Sequence, residues 1–165
     1  MKIYLIRHGI AEERSEHQSD ENRALTDQGI AKTNKVAEKL SNLNITFDCI
    51  FTSPLIRAKQ TAEILHNAQL SLKIIEFSPL APDGKIEDFL EFLSNSEYTN
   101  KNAIALVGHQ PDLGHWAELL IWGKIQQKLT LKKAGIISIE INKSKDMLGT
   151  GELFLLTSPK WMIES

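Results

Sequence analysis

The stretch KIYLIRHG, residues 2–9, decides the fold, because an apolar, β-prone run stops abruptly at an arginine and a histidine. Residues 2–7 have the composition of a strand that is buried on both faces, which is typical of parallel sheets. Parallel α/β sheets place their functional residues beyond the carboxyl ends of their strands. Arg7 and His8 are therefore the first candidates for a functional site.

Further strands follow along the chain. They are predicted over 48–52, 72–77 and 103–107, and an antiparallel pair is predicted over 135–142 and 152–157. A polar stretch over 9–25 reads as a long loop, of a length that is usually functional in compact domains.

Helices are predicted between these strands from their end signals and apolar spacing. Thr26 is typical of an N-cap, and Ser53-Pro54 of a cap followed by a first helical residue. Apolar residues spaced i, i+3, i+4 and i+7 from Ile86 indicate a third helix. A turn over Gly108 to Pro111 leads into a fourth helix. The fold class is therefore α/β, with three α/β/α layers around a mostly parallel mixed sheet.

Composition narrows the function classes. A chain of 165 residues with 42% hydrophobic residues predicts a single domain over 1–165. A net charge of −2 gives no basic field for nucleic-acid binding. The lone Cys49 excludes an internal disulfide, and no apolar run resembles a signal peptide or a membrane span. We expect a cytoplasmic protein with neither nucleic-acid nor membrane partners.

The reactive residues follow three of the predicted strands. Arg7 and His8 end the first strand, Arg57 follows the second through Ser53-Pro54, and His109 follows the strand over 103–107. We expect them to converge at one edge of the sheet. Arg57 lies near the positive end of a helix, which costs about 0.3 to 1 kcal/mol unless an anion is bound there.

Each residue also has a structural interpretation. An arginine at a strand end is usually a surface charge, and an isolated histidine is usually a satisfied polar residue. His17, His66 and His115 are interpreted in that way. His8 and His109 have no neighbours at metal-ligand spacing, and the GTG at 149–151 lacks the third glycine of a dinucleotide site. We therefore expect neither a metal nor a cofactor.

Paired histidines and arginines suit phosphoryl transfer. Imidazole is a neutral nucleophile at pH 7, and the planar guanidinium of arginine binds phosphoryl oxygens through two parallel donors. A histidine nucleophile divides hydrolysis into two displacements through a phosphohistidine intermediate. A second histidine, if protonated, adds positive charge at the transferring group.

These residues resemble a known family. The RHG at 7–9, SPLIRAKQTAEIL at 53–65 and VGHQPDL at 107–113 are similar to the histidine phosphatase superfamily, which has the phosphoglycerate mutase-like fold. The short chain, RALTDQG at 23–29 and LTLKKAG at 129–135 resemble more specifically the SixA-type phosphohistidine phosphatases.

The resemblance implies a role for each candidate residue. His8 would be the nucleophile, Arg7 and Arg57 would hold the phosphoryl group, and His109 would complete the pocket as a catalytic and substrate-binding residue. Arg23 matches an arginine that contacts substrate in SixA-like members. A phosphate or a similar anion is the expected occupant of the site.

The chain departs from the family in its middle segment. Many members place an acid near the leaving group, but SPLAPDGKIEDFL at 78–90 offers only Asp83, Glu87 and Asp88 as weak candidates. The lack of a strong candidate for the general acid suits a phosphohistidine substrate, since an imidazole leaving group is protonated more readily than an alkoxide.

We therefore expect a phosphatase that dephosphorylates phosphohistidine on a partner protein, in phosphotransfer signalling or a phosphorelay. Two alternatives stay open: a phosphatase for small phosphate compounds, and a non-catalytic phosphate-binding or interaction module. A mutase is disfavoured, because few residues remain to build a lid.

Overall fold

A mixed sheet of six strands forms the centre of the computed structural model, which describes residues 1–14, 19–142 and 146–163. The strands are β1 (Lys2–Arg7), β2 (Cys49–Thr52), β3 (Ile74–Glu76), β4 (Ala103–Gly108), β5 (Ile136–Glu140) and β6 (Glu152–Thr157). Their order in the sheet is β3-β2-β4-β1-β5-β6. The first four of these are parallel, while β5 runs antiparallel to β1 and β6 antiparallel to β5. The predicted mostly parallel mixed sheet is confirmed.

Helices cover both faces of this sheet. They are α1 (Asp27–Asn42), α2 (Ile56–Asn67), α3 (Ile86–Asn95), α4 (Asp112–Trp122) and the short α5 (Pro159–Ile163), which the sequence analysis did not predict. Residues of α1, α2 and α5 share one core cluster and those of α3 and α4 the other, so the predicted three-layer arrangement is confirmed. Within the described ranges, no helix has the length and apolar character needed to cross a membrane.

Strand β1 supplies both cores, because successive side chains of a strand point to opposite faces. Leu5 packs in the cluster that contains Phe89 of α3, and Ile6 packs in the cluster that contains Leu40 of α1. All four side chains are 1% exposed or less. The apolar run that opens the chain is thus the strand around which both layers are built.

The predicted helix starts differ in outcome. Thr26 caps α1 as predicted, since its hydroxyl accepts a hydrogen bond from the Gly29 N–H at 3.0 Å. The prediction for Ser53 is wrong, because α2 begins at Ile56 after Leu55. The Ser53 hydroxyl accepts a hydrogen bond from the Leu55 N–H at 3.3 Å, before the helix begins, and it also lies 2.8 Å from Nε2 of His109.

A buried carboxylate fixes the segment that enters β5. Glu118 of α4 has no exposed surface, and it accepts hydrogen bonds from the main-chain N–H groups of residues 126–129. Burial alone would raise the pKa of Glu118, but these four hydrogen bonds outweigh it and lower the pKa. The side chain of Gln110 holds the same segment by donating to the Leu129 carbonyl and accepting from the Leu131 N–H.

We expect Glu118→Gln to destabilise the protein by at least about 2 kcal/mol, because an uncharged amide with only one acceptor oxygen cannot satisfy four buried donors. Urea unfolding followed by circular dichroism measures this free energy. The matched control is Glu63→Gln, on the exposed face of α2, which should change stability by less than about 0.5 kcal/mol. Equal effects of the two substitutions would contradict a structural role for Glu118.

Candidate active site

Three neighbouring strands end at the same edge of the sheet. Arg7 pairs in register with Gly108, and Thr52 pairs with Val107. His8, Ser53 and His109 therefore leave the sheet side by side, and the rings of His8 and His109 lie 5.1 Å apart between centroids. The structure brings together the strand-end residues that the sequence analysis expected to converge.

One ring nitrogen of His8 carries a lone pair. Its Nδ1–H donates to the Gly9 carbonyl at 2.7 Å, which leaves the lone pair on Nε2. Nε2 in turn accepts a hydrogen bond from Nε of Arg57 at 3.3 Å. His8 is only 6% exposed, so this lone pair lies in a largely dry environment.

The glycine after His8 is required by close packing. A Cβ on Gly9 would lie 2.5 Å from Oγ1 of Thr33 in α1. The Gly9 N–H also donates to Oγ1 of Thr61 in α2, at 3.0 Å. The turn that carries His8 is therefore pressed against two helices, which explains the third residue of the RHG tripeptide.

Arg57 lies at the start of α2, is 4% exposed and is gripped by a loop residue. Besides the contact with His8, its Nη1 donates to the Asp20 carbonyl at 2.6 Å and its Nη2 to Oδ2 of Asp20 at 2.9 Å. A cation in the first turn of a helix is unfavourable by itself. The Asp20 carboxylate offsets that cost.

Arg23 is joined to Arg57 through the same carboxylate. Its Nη1 donates to Oδ1 of Asp20 at 2.7 Å, and its Nε donates to the Glu12 carbonyl at 2.7 Å. Asp20 lies in the polar stretch over 9–25, and it was not among the candidate residues predicted from the sequence. The available signal was its place three residues before Arg23, a spacing that brings two side chains of a helical turn together.

Arg7 is half-buried and is held from the opposite side of the site. Its guanidinium donates through Nη1 to the Leu131 carbonyl at 2.8 Å. The Ala134 N–H donates to the main-chain carbonyls of Arg7 and His8, both at 3.1 Å. The segment that Glu118 and Gln110 fix therefore also sets the position of Arg7.

Two buried nitrogens of the site have no protein partner among the described residues: Nε of Arg7 and Nδ1 of His109. His109 is 4% exposed, and its other nitrogen, Nε2, contacts Oγ of Ser53 at 2.8 Å. Buried polar atoms without partners are rare in proteins and need an explanation. These two nitrogens, which belong to the same cluster of arginines and histidines, are suited to bind the oxygens of a phosphoryl group.

Burial keeps both histidines neutral. It lowers the pKa of His8 to about 3, opposed by the Gly9 carbonyl and assisted by the charges of His109, Arg57 and Arg7. Burial, followed by the charge of Arg57, lowers the pKa of His109 to about 4, although Asp20 acts in the opposite direction. At pH 7 His109 therefore serves as a neutral hydrogen-bonding group rather than as the extra positive charge considered from the sequence.

The other sequence candidates lie outside this cluster. The N–H of Asp83 donates to the Asp112 carboxylate at 3.2 Å, while Glu87 and Asp88 line a surface groove of about 630 Å³. In the described part of the chain, none of the three weak acid candidates hydrogen-bonds to His8 or His109. His17 lies outside the described residues.

The fold and the pair of neutral histidines among arginines define a class of protein, and the chain belongs to the histidine phosphatase superfamily. The sequence model of its branch 1 matches residues 3–80, which include Arg7, His8 and Arg57.

Individual relatives agree with this assignment. The chain is 46% identical over 164 residues to an uncharacterized protein of Picosynechococcus sp., covering 99% of each. It is 25% identical over 148 residues to the phosphohistidine phosphatase SixA of Escherichia coli strain K12, covering 87% of this chain and 88% of that one.

A solved structure supports the fold. The protein histidine phosphatase SixA, in a complex with tungstate, matches with a TM-score of 0.83 at 23% identity, covering 96% of this chain and 97% of that one. The phosphoglycerate mutase-like fold is confirmed, and so is the resemblance to SixA.

We expect His8 to make folding sensitive to acid. Its pKa is about 3 in the folded protein and about 6.5 in an unfolded chain, so the unfolded state binds more protons between these values. Stability is therefore lost as pH falls from about 6.5 towards 3. Between pH 7 and pH 5, the free energy of unfolding of His8→Gln should fall by about 2 kcal/mol less than that of the parent, as measured by urea unfolding.

The internal control for this comparison is the interval from pH 7 to pH 8, above both pKa values. There the difference in unfolding free energy between His8→Gln and the parent should stay constant. Parallel losses of stability below pH 7 would show that burial does not hold His8 neutral.

Proposed function

We propose that this protein is a phosphatase that forms a phosphohistidine on His8 and that its substrate is phosphohistidine on a partner protein. The observation that carries the proposal is the unprotonated Nε2 of the buried His8, which accepts a hydrogen bond from Arg57 beside the ring of His109 and is close enough to Arg7 to feel its charge. Membership of the superfamily supports phosphatase activity, and the similarity to SixA supports the substrate class.

In the first displacement, Nε2 of His8 attacks phosphorus and the bond from phosphorus to the leaving group breaks. Phosphoryl transfer depends mainly on positioning and on donors around the equatorial oxygens. Arg57 and Nε of Arg7 provide such donors. Oγ of Ser53 lies 2.8 Å from Nε2 of His109. In the tautomer that has the ring proton on Nδ1, the Ser53 hydroxyl donates to Nε2 and Nδ1 is a further donor for the phosphoryl group.

In the second displacement, water attacks the phosphorus of phosphorylated His8. A new oxygen–phosphorus bond forms, the nitrogen–phosphorus bond breaks, and inorganic phosphate leaves with the oxygen and both protons of the water. His8 regains the lone pair on Nε2. Its Nδ1 stays protonated throughout, because the Nδ1–H donates a hydrogen bond to the Gly9 carbonyl. Both steps use the same donors, since the same phosphoryl oxygens carry the charge.

The supply of protons at the site favours phosphohistidine as the substrate class. The Asp20 carboxylate at the site is held ionised, because hydrogen bonds from three arginines outweigh its burial and keep its pKa well below the usual range. An ionised carboxylate cannot protonate a leaving group. A phosphohistidine substrate needs little such help, whereas an alkyl ester depends on a general acid for about 10² to 10⁴-fold in rate.

We expect His8→Asn to abolish both turnover and phosphoenzyme formation while leaving the fold intact, because the nucleophile lies at a strand end. His109→Ala should slow the chemistry and still allow slow labelling, since it removes one donor and keeps Nε2 of His8. Transfer of ³²P from a phosphohistidine protein to this chain measures both. His66→Ala, at the far end of α2, is the control and should label like the parent. Labelling that survives in His8→Asn would overturn the nucleophile assignment.

We expect the substrate preference and the acid requirement to agree. The kcat/KM of the parent should be higher for a phosphohistidine protein than for a generic aryl phosphate. Asp83→Asn, Glu87→Gln and Asp88→Asn should each cost less than about 10-fold on phosphohistidine.

Other results would favour the alternatives. A loss above about 10²-fold in one acid variant would identify a true general acid and favour small phosphate esters as substrates. Phosphate binding with neither turnover nor labelling would instead favour a non-catalytic module.

A further inference from the structure

Asp20 supplies three acceptors to two arginines of the site. Its carbonyl and Oδ2 accept from Nη1 and Nη2 of Arg57, and its Oδ1 accepts from Nη1 of Arg23. Oδ1 also accepts from Nε of the exposed Arg14 at 3.1 Å. The Arg57 side chain is only 5% exposed, while that of Asp20 is 29% exposed. A single loop residue thus anchors a buried cation from the solvent side.

We propose that Asp20 is the positioning residue of the phosphoryl-binding arginines. Asp20 binds the terminal nitrogens of Arg57 and holds Arg23 beside them. It thereby orients the remaining N–H donors of Arg57 towards Nε2 of His8. The proposal rests on the proposed function, because it assigns Asp20 a part in phosphoryl binding. Asp20 does not touch the reacting atoms.

The donor geometry of Arg57 supports this role. A guanidinium has five N–H donors in a fixed plane. Asp20 occupies one donor on each terminal nitrogen, and Nε faces His8. Nε and Nη2 share one edge of the plane, so that edge can present two parallel donors to a phosphoryl group on Nε2 of His8.

A different role, in which Asp20 is an anionic plug that phosphate must displace, fits the contacts less well. A plug would accept hydrogen bonds from Nε as well as Nη2, along the edge of Arg57 that faces His8, and it would also contact Arg7 or His109. Asp20 instead accepts from Nη1 and Nη2 of Arg57 and not from Nε, and among the described residues it forms no hydrogen bond with Arg7 or His109. Its carboxylate also reduces the repulsion between Arg57 and Arg23, which favours their placement side by side.

The experiment compares Asp20→Asn with Glu21→Gln. Both remove one negative charge from the same short 3-10 turn, and Glu21 is exposed. The probe is inorganic phosphate, titrated by calorimetry, together with single-turnover labelling of His8 by a phosphohistidine protein. We expect Asp20→Asn to weaken phosphate binding and slow labelling by about 10-fold or more, which is typical for loss of a charged hydrogen-bonded pair. Glu21→Gln should match the parent.

A double-mutant comparison with Arg23→Gln distinguishes a positioning role of Asp20 from general support of the loop. If Asp20 acts through Arg23 and Arg57, Asp20→Asn should cost much less phosphate affinity in an Arg23→Gln background than in the parent. A purely structural role would give additive losses. Asp20→Glu keeps the charge and the main-chain carbonyl, and should recover part of the affinity even if Asp20→Asn folds poorly.

Three outcomes would overturn the inference: tighter phosphate binding by Asp20→Asn, effects equal to those of Glu21→Gln, or additivity with Arg23→Gln. Tighter binding would identify Asp20 as a plug. A parent protein that binds phosphate but never labels His8 would contradict the proposed phosphatase activity, while phosphate affinity would still report on Asp20. The two failures are therefore distinguishable.

Discussion

The parallel register of three strands is the constraint on which the site depends. Pairing of Arg7 with Gly108 and of Thr52 with Val107 places the ends of β1, β4 and β2 at one level of the sheet. A shift of one residue would exchange the apolar side chains of β1 between the two cores, which are packed by different helices, so the packing of both cores favours this register. The site therefore inherits its geometry from the hydrophobic core.

Burial also sets the chemistry of the histidines. An exposed imidazole is partly protonated near neutral pH, but His8 and His109 are buried beside arginines, and their pKa values fall to about 3 and about 4. His8, the proposed nucleophile, is therefore neutral without a dedicated base. The positive charge needed to hold a phosphoryl group comes from guanidinium groups, which stay protonated under the same conditions.

The arginines are held from two directions by acceptors of the protein itself. Asp20 anchors Arg57 from the long polar loop, and the Leu131 carbonyl anchors Arg7 from the segment before β5. That segment depends in turn on the buried carboxylate of Glu118, which belongs to a helix on one face of the sheet. Side chains far apart in the chain thus share the task of fixing a few donors around Nε2 of His8.

Hydrophobic periodicity and strand ends are local signals, so the sequence alone predicts the strands, the helices α1 to α4, the mixed sheet and the convergence of Arg7, His8, Arg57 and His109. The contact of the Ser53 hydroxyl with His109, which it makes in addition to accepting from the Leu55 N–H, depends on the tertiary structure. The tertiary structure also decided the place of Asp20, which local composition marks as solvated. The physical reason is that the partners of a polar side chain are chosen by the packing of distant segments, and nothing in a local pattern records that choice.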